Sequence, residues 1–133
     1  MMNKVEFAVV YPKVERKFPN PSDKEQIFLN HLNIGCEGWK TSPAMRQGFC
    51  DRIFAGMNAG SQSEFPWFLT AHARSMSVGD LVCIDPDGLN EWWVCDSCGW
   101  AILTEEQVDS WLTYPRQYGC CSLELADWMK DKQ

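Results

Sequence analysis

Cys95-Asp96-Ser97-Cys98 sets two thiols three residues apart, the spacing of half a tetrahedral zinc knuckle. A turn between such cysteines can aim both sulfurs at one ion. Four ligands require two more donors, for which the chain offers Cys120, Cys121, His31 and His72. Adjacent cysteines make a poor second half, because neighbouring side chains diverge. The alternative is structural, with Cys95 ending a strand and Cys98 filling space near its turn. A thioredoxin-type reading of the pair wants the first Cys at a helix N-terminus, where the dipole lowers its pKa. Strand-forming residues surround it instead. Nucleophilic catalysis would pair one of seven cysteines with His31 or His72, and spacing assembles no nucleophile, base and orienting group. The expectation is a non-enzymatic protein without a cofactor. A zinc-stabilised module using Cys95, Cys98, Cys120 and Cys121 is the alternative.

A second group of residues suits binding rather than reaction. Up to Ile84 the chain carries nine Lys and Arg against eight Asp and Glu; from Asp85 onward it carries three against ten. The net charge of −6 therefore sits in the second half. That opposes direct nucleic-acid binding, which draws its affinity from Lys and Arg neutralising phosphates. Asp85, Asp87, Glu91, Glu105, Glu106 and Asp109 form a candidate negative rim. Beside them Trp92 and Trp93 alternate across a strand, so one ring enters the core and the other faces the opposite side. An exposed indole within an acidic rim would suit an interface, whereas a helix over that face would bury it. The partner implied is a protein or ribonucleoprotein with a basic surface. A structural or assembly protein, oligomerising through the Trp-bearing face, is a further alternative.

Elements that place these residues are legible in the pattern. Leu81 to Asp85 reads as a strand, Pro86-Asp87-Gly88 as a turn and Glu91 to Cys95 as the antiparallel partner. Trp100 to Leu103 adds another strand after Gly99. Before them, Ser75, Ser77, Gly79 and Asp80 make a polar turn in which Gly79 tolerates positive φ. Arg74 is placed to clamp that turn. Thr104 and Gln107 form a capping box for a helix presenting Val108, Trp111 and Leu112, stopped at Tyr114-Pro115. Ser122 begins a last helix burying Leu125, Trp128 and Met129.

In the first half, Val5 to Tyr11 is a strand ended by Pro12. Ser22 with Glu25 suggests a capping box for a helix from Asp23 to Asn33, burying Ile27, Phe28 and Leu32. Ser42 and Pro43 start a helix to Met57, with Met45, Phe49, Ile53 and Met57 on one face. The segment from Glu64 to Ala73 is ambiguous between helix and extended chain. The fold class expected is α+β: a small antiparallel sheet of three to five strands with packed helices.

A chain of 133 residues with seven Trp and seven Phe supplies one core, so a single domain over 1–133 is expected. Each buried aromatic withdraws roughly 150–250 Å² from water. No run approaches the ~20 apolar residues of a membrane span. The amino terminus lacks a signal-peptide pattern. Seven cysteines without a secretion signal point to reduced thiols in the cytoplasm.

Arg74-Ser75-Met76-Ser77-Val78-Gly79-Asp80-Leu81-Val82 resembles a segment of small proteins from phages, plasmids and other mobile elements, similar to the YodL-like domain group. Their pattern runs Arg-Ser-(Leu/Met)-Ser-Val-Gly-Asp-Val-Val, then a hairpin and an aromatic strand ending near Gly-(Phe/Trp). Trp92 to Cys95 and Gly99-Trp100 match it, as do Ile53-Phe54, Asn58 and Gly60-Ser61 ahead of it. The resemblance covers about residues 52–103. Cys98 departs from it, since that position is often apolar. The resemblance implies an accessory role such as blocking a host defence, in anti-restriction or anti-CRISPR form, and brings no catalytic residues.

Overall fold

The computed structural model describes residues 3–14, 17–18, 25–58, 67–71, 75–115 and 122–130. Among them the chain forms β1 (Asn3–Tyr11), β2 (Gln26–Ile34), α1 (Pro43–Met57), β3 (Leu81–Ile84) and β4 (Glu91–Asp96). β5 (Gly99–Leu103), α2 (Glu105–Thr113) and α3 (Ser122–Lys130) follow, and short 3-10 turns lie at Glu37–Thr41 and Trp67–Leu69. The strands make one antiparallel sheet in the order β2-β1-β3-β4-β5. This is the α+β class, with five strands at the upper end of the expected range.

One expected element is corrected. Residues 26–34 form a strand, not the helix expected over Asp23 to Asn33. They pair in a continuous ladder with β1, from Asn3 opposite Ile34 to Tyr11 opposite Gln26. Ile27, Phe28 and Leu32 mimic a helical stripe, but a partner strand of equal length overrides local preference. Period-two alternation separates the three: Leu32 is buried, Phe28 packs at the core margin and Ile27 is 61% exposed. Ser22 of the supposed capping box lies outside the described residues.

The same alternation gives the sheet two occupied faces. Val5, Phe7, Val9 and Tyr11 of β1 point to one side with Val82, Ile84 and Trp93. There they meet Phe49, Cys50, Ile53 and Met57 of α1, with Trp39 from the first 3-10 turn. Ser42 Oγ caps α1 by accepting from Met45 N at 3.2 Å, and Pro43 occupies its first turn as expected. On the other side Val10, Leu81, Val94 and Leu103 pack against Val108 and Trp111 of α2 and Leu125 and Trp128 of α3.

The second layer is held by indoles. Trp111 and Trp128 lie 5.2 Å apart, and Trp111 stacks on Tyr114 at 5.8 Å. Trp128 Nε1 donates to Ser110 Oγ at 3.0 Å, so its polar tip is satisfied inside the layer. The expected Thr104 and Gln107 capping box is present at the start of α2. Among the described residues no helix is long and apolar enough to cross a membrane.

Candidate functional site

The turn before β3 is built as the sequence suggests. Asp80 N donates to Ser77 O at 3.1 Å, closing a four-residue turn whose third residue, Gly79, has φ of 94°. A side chain there would be strained. Asp80 is fully buried, and its carboxylate accepts from Ser77 N at 2.8 Å. Gly79 N donates to Cys95 O, and Cys95 N to Asp80 O, which ties the turn to β4. Trp111 Nε1 donates to Gly79 O at 2.7 Å and ties it to α2 as well. Gly79 and Asp80 therefore aim β3 and anchor α2. Ser75 is exposed, and Arg74, the expected clamp, lies outside the described residues.

The β3–β4 loop orders itself around Asp85. Its carbonyl accepts from Gly88 N and Asn90 N, and its carboxylate accepts from Leu89 N at 2.9 Å. A Cβ at Gly88 would approach Asp85 Oδ2 to 2.4 Å, so any side chain there would displace the Asp85 carboxylate from its bond to Leu89 N. Asp85 is thus occupied inside its own loop rather than presented on a rim. Asn90, at φ 51°, accepts from Cys83 Sγ at 3.2 Å and donates through Nδ2 to Glu105 Oε1. That link joins the loop to the first turn of α2.

Beside the link, Asn90, Trp92, Glu105, Val108 and Asp109 line an open groove of about 230 Å³. Trp92 is half-buried, with its indole against the α2 layer, while Glu105, Glu106 and Asp109 are exposed. No Lys or Arg occurs in α2. Glu105 and Glu106 stand in its first turn, where the positive end of the helix favours acids. Asp109, in the next turn, is less favoured by that effect and extends the negative surface.

The remaining proposed rim residues are placed elsewhere. Asp87 borders a separate groove of about 360 Å³ with Lys4, Glu6, Leu29 and His31. Glu91 and Trp93 turn toward α1. Arg46 grips Glu91 in a two-pronged ion pair, Nε to Oε1 at 2.6 Å and Nη2 to Oε2 at 2.9 Å. Arg46 Nη1 also donates to the Trp39 and Lys40 carbonyls, and Trp93 Nε1 donates to Glu91 Oε1 at 2.8 Å. With side-chain exposures of 7% and 15%, this pair is a buried clamp. Glu91 and the 3% exposed Trp93 are therefore corrected from candidate contacts to interior residues. Arg46 was not anticipated. Its signal was a cation one turn ahead of Phe49 and Cys50, on the apolar stripe of α1.

The Cys-x-x-Cys pair is divided by its hairpin. Asp96 pairs with Gly99 across a two-residue tip, leaving Cys98 exposed and Cys95 buried toward α1. Burial raises the Cys95 thiol from 9.0 to about 11, with Asp80, Asp96 and Asp51 adding to the effect. Burial, then Asp85, Glu105 and Glu91, raises Cys83 to about 12. Burial pushes Cys50 higher still. A thiol held this way is a poor nucleophile and a poor ligand, because both roles use the thiolate. Among the described residues no group of three or more His, Cys, Asp or Glu is arranged to hold a metal. Cys120, Cys121 and His72 lie outside those residues. His31, on the outer side of β2, hydrogen-bonds none of the described thiols.

In comparisons with known proteins, no family model, curated protein or solved structure matches the chain.

Proposed function

We propose that the protein is a binding module whose α2 face docks a basic surface of a protein or ribonucleoprotein. The observation that carries this reading is the groove where Glu105 and Asp109 flank the half-buried indole of Trp92. Two carboxylates beside an aromatic ring suit an Arg or Lys side chain, which gains charge pairing and stacking at one place. Glu106 continues the negative field past the groove. Such a field steers encounter and selects partners more than it supplies raw affinity.

The finer reading rests on the mobile-element resemblance of residues 74–82. In that setting the α2 face would compete with phosphate for the basic nucleic-acid-binding surface of a host defence complex, an anti-restriction or anti-CRISPR role without catalysis.

The test is affinity capture from a host extract with mass spectrometry, run beside the Glu106→Lys, Asp109→Lys double variant. Glu105 is left intact because it holds Asn90. The expected result is a partner with a basic surface that is released by salt and lost with the variant. Capture that survives charge reversal and salt would remove this face from consideration.

A further inference from the structure

We infer that β2 is a self-association edge, pairing antiparallel with β2 of a second copy to continue the sheet. β2 is terminal in the strand order, and among the described residues it pairs only with β1. Asp85 N donates to Glu6 O at 2.7 Å, so the Glu6 carbonyl points toward β3. His31 stands opposite Glu6, and its main-chain groups therefore point away from β1 to the open side. Alternation extends this to Ile27, Leu29 and Asn33. Asn30 Oδ1 accepts the His31 N–H at 2.8 Å, a local contact that meets this outward-facing donor within the free chain.

Edge strands are commonly guarded by Lys, other charges or Pro. Gln26–Ile34 contains no Lys, Arg, Asp, Glu or Pro, and Ile27 and Leu29 are 61% and 70% exposed. Next to it, Lys4 and Glu6 of β1 offset each other at 3.9 Å. Two copies of a chain with net charge −6 meet with least repulsion at such a neutral strip. The acidic α2 face offers no comparable approach.

Symmetry and length select the register. In a twofold antiparallel pair, opposed residues share a face, so the axis passes through a residue. All nine residues of β2 find partners only when that residue is Asn30. Leu29 then lies opposite His31 of the second copy, and Ile27 opposite its Asn33. The outward N–H and C=O groups from Ile27 to Asn33 pair, and the Asn30 contact to His31 N–H gives way to a main-chain bond. A strip about 30 Å long lies at the small end of specific interfaces, so the dimer is weak and concentration-dependent.

Sedimentation velocity over a wide concentration range reads the outcome as movement from 15.3 kDa toward twice that mass. Leu29→Lys and Leu29→Glu are both expected to hold the chain at monomer mass, because a charge of either sign repels its own copy across the axis. Glu106→Lys is expected to leave association unchanged. Amide exchange on the unmodified chain gives a reading independent of those variants: Leu29, His31 and Asn33 amides gain protection as concentration rises. A wild-type chain that stays monomeric, or a dimer that survives both Leu29 variants, would overturn the inference.

Discussion

The two faces of the sheet are built from one alternating pattern but are closed in different ways. Toward α1 the cover includes a buried ion pair: Arg46 and Glu91 join α1 to β4 and hold the Trp39 and Lys40 carbonyls. Toward α2 and α3 the cover is aromatic, and the acids of α2 remain outside. A carboxylate on the first face is structural because its removal strands a cation. Glu106 and Asp109 of α2 are exposed and can be exchanged without leaving buried charge. Charge counted along the chain cannot separate these roles; facing direction can.

The largest effect expected is on the α1 face. Glu91→Ala leaves Arg46 and Trp93 Nε1 without their carboxylate and is expected to cost about 3–5 kcal/mol in urea unfolding. Replacing both partners, Arg46→Met with Glu91→Leu, recovers part of that loss, because Trp93 Nε1 and the Lys40 carbonyl still lose their partners. A single-variant cost no larger than that of a surface change would break the distinction between faces.

On the opposite face, Trp111→Phe keeps most of the packing and removes the bond to Gly79 O. The expected loss is about 1–3 kcal/mol, again read by urea unfolding. Thr104→Ala removes half of the capping box at the start of α2. It is expected to cost about 1 kcal/mol, and a null result would mean that packing alone holds this helix end.

Thiol chemistry sharpens the comparison further. Cys50, Cys83 and Cys95 are buried, whereas Cys36 and Cys98 are exposed. Alkylation of the folded chain at neutral pH is expected at Cys36 and Cys98, with little change in melting temperature, while the buried three resist. For Cys95 the unfolded thiol ionises near 9.0 and the folded one near 11. Its contribution to stability is therefore constant below 9.0 and declines as pH rises above it. Rapid labelling of Cys95 at neutral pH would contradict its burial.

How much of this was legible depended on whether a signal was local. The α1 start at Ser42-Pro43, the α2 box at Thr104 and Gln107, and the turn at Gly79 are short-range chemistry, and each appears where the residues indicated. β2 was not legible, because its identity depends on β1, whose paired residues lie 15 to 31 positions away in the chain. Within the candidate site, Glu105, Glu106 and Asp109 remain together because they share α2. Glu91 was misplaced despite a usable clue: alternation that separates Trp92 from Trp93 also puts Glu91 on the Trp93 side. Arg46 supplied the other half of that clue, as a cation on an apolar stripe.

The most direct measurement sets binding against stability for Glu106→Lys with Asp109→Lys. Urea unfolding of this variant should show a loss of no more than about 2 kcal/mol, from reversing the Glu106 charge in the first turn of α2, while capture of the basic partner is lost. Retained capture by a stably folded variant would contradict the assignment of docking to α2.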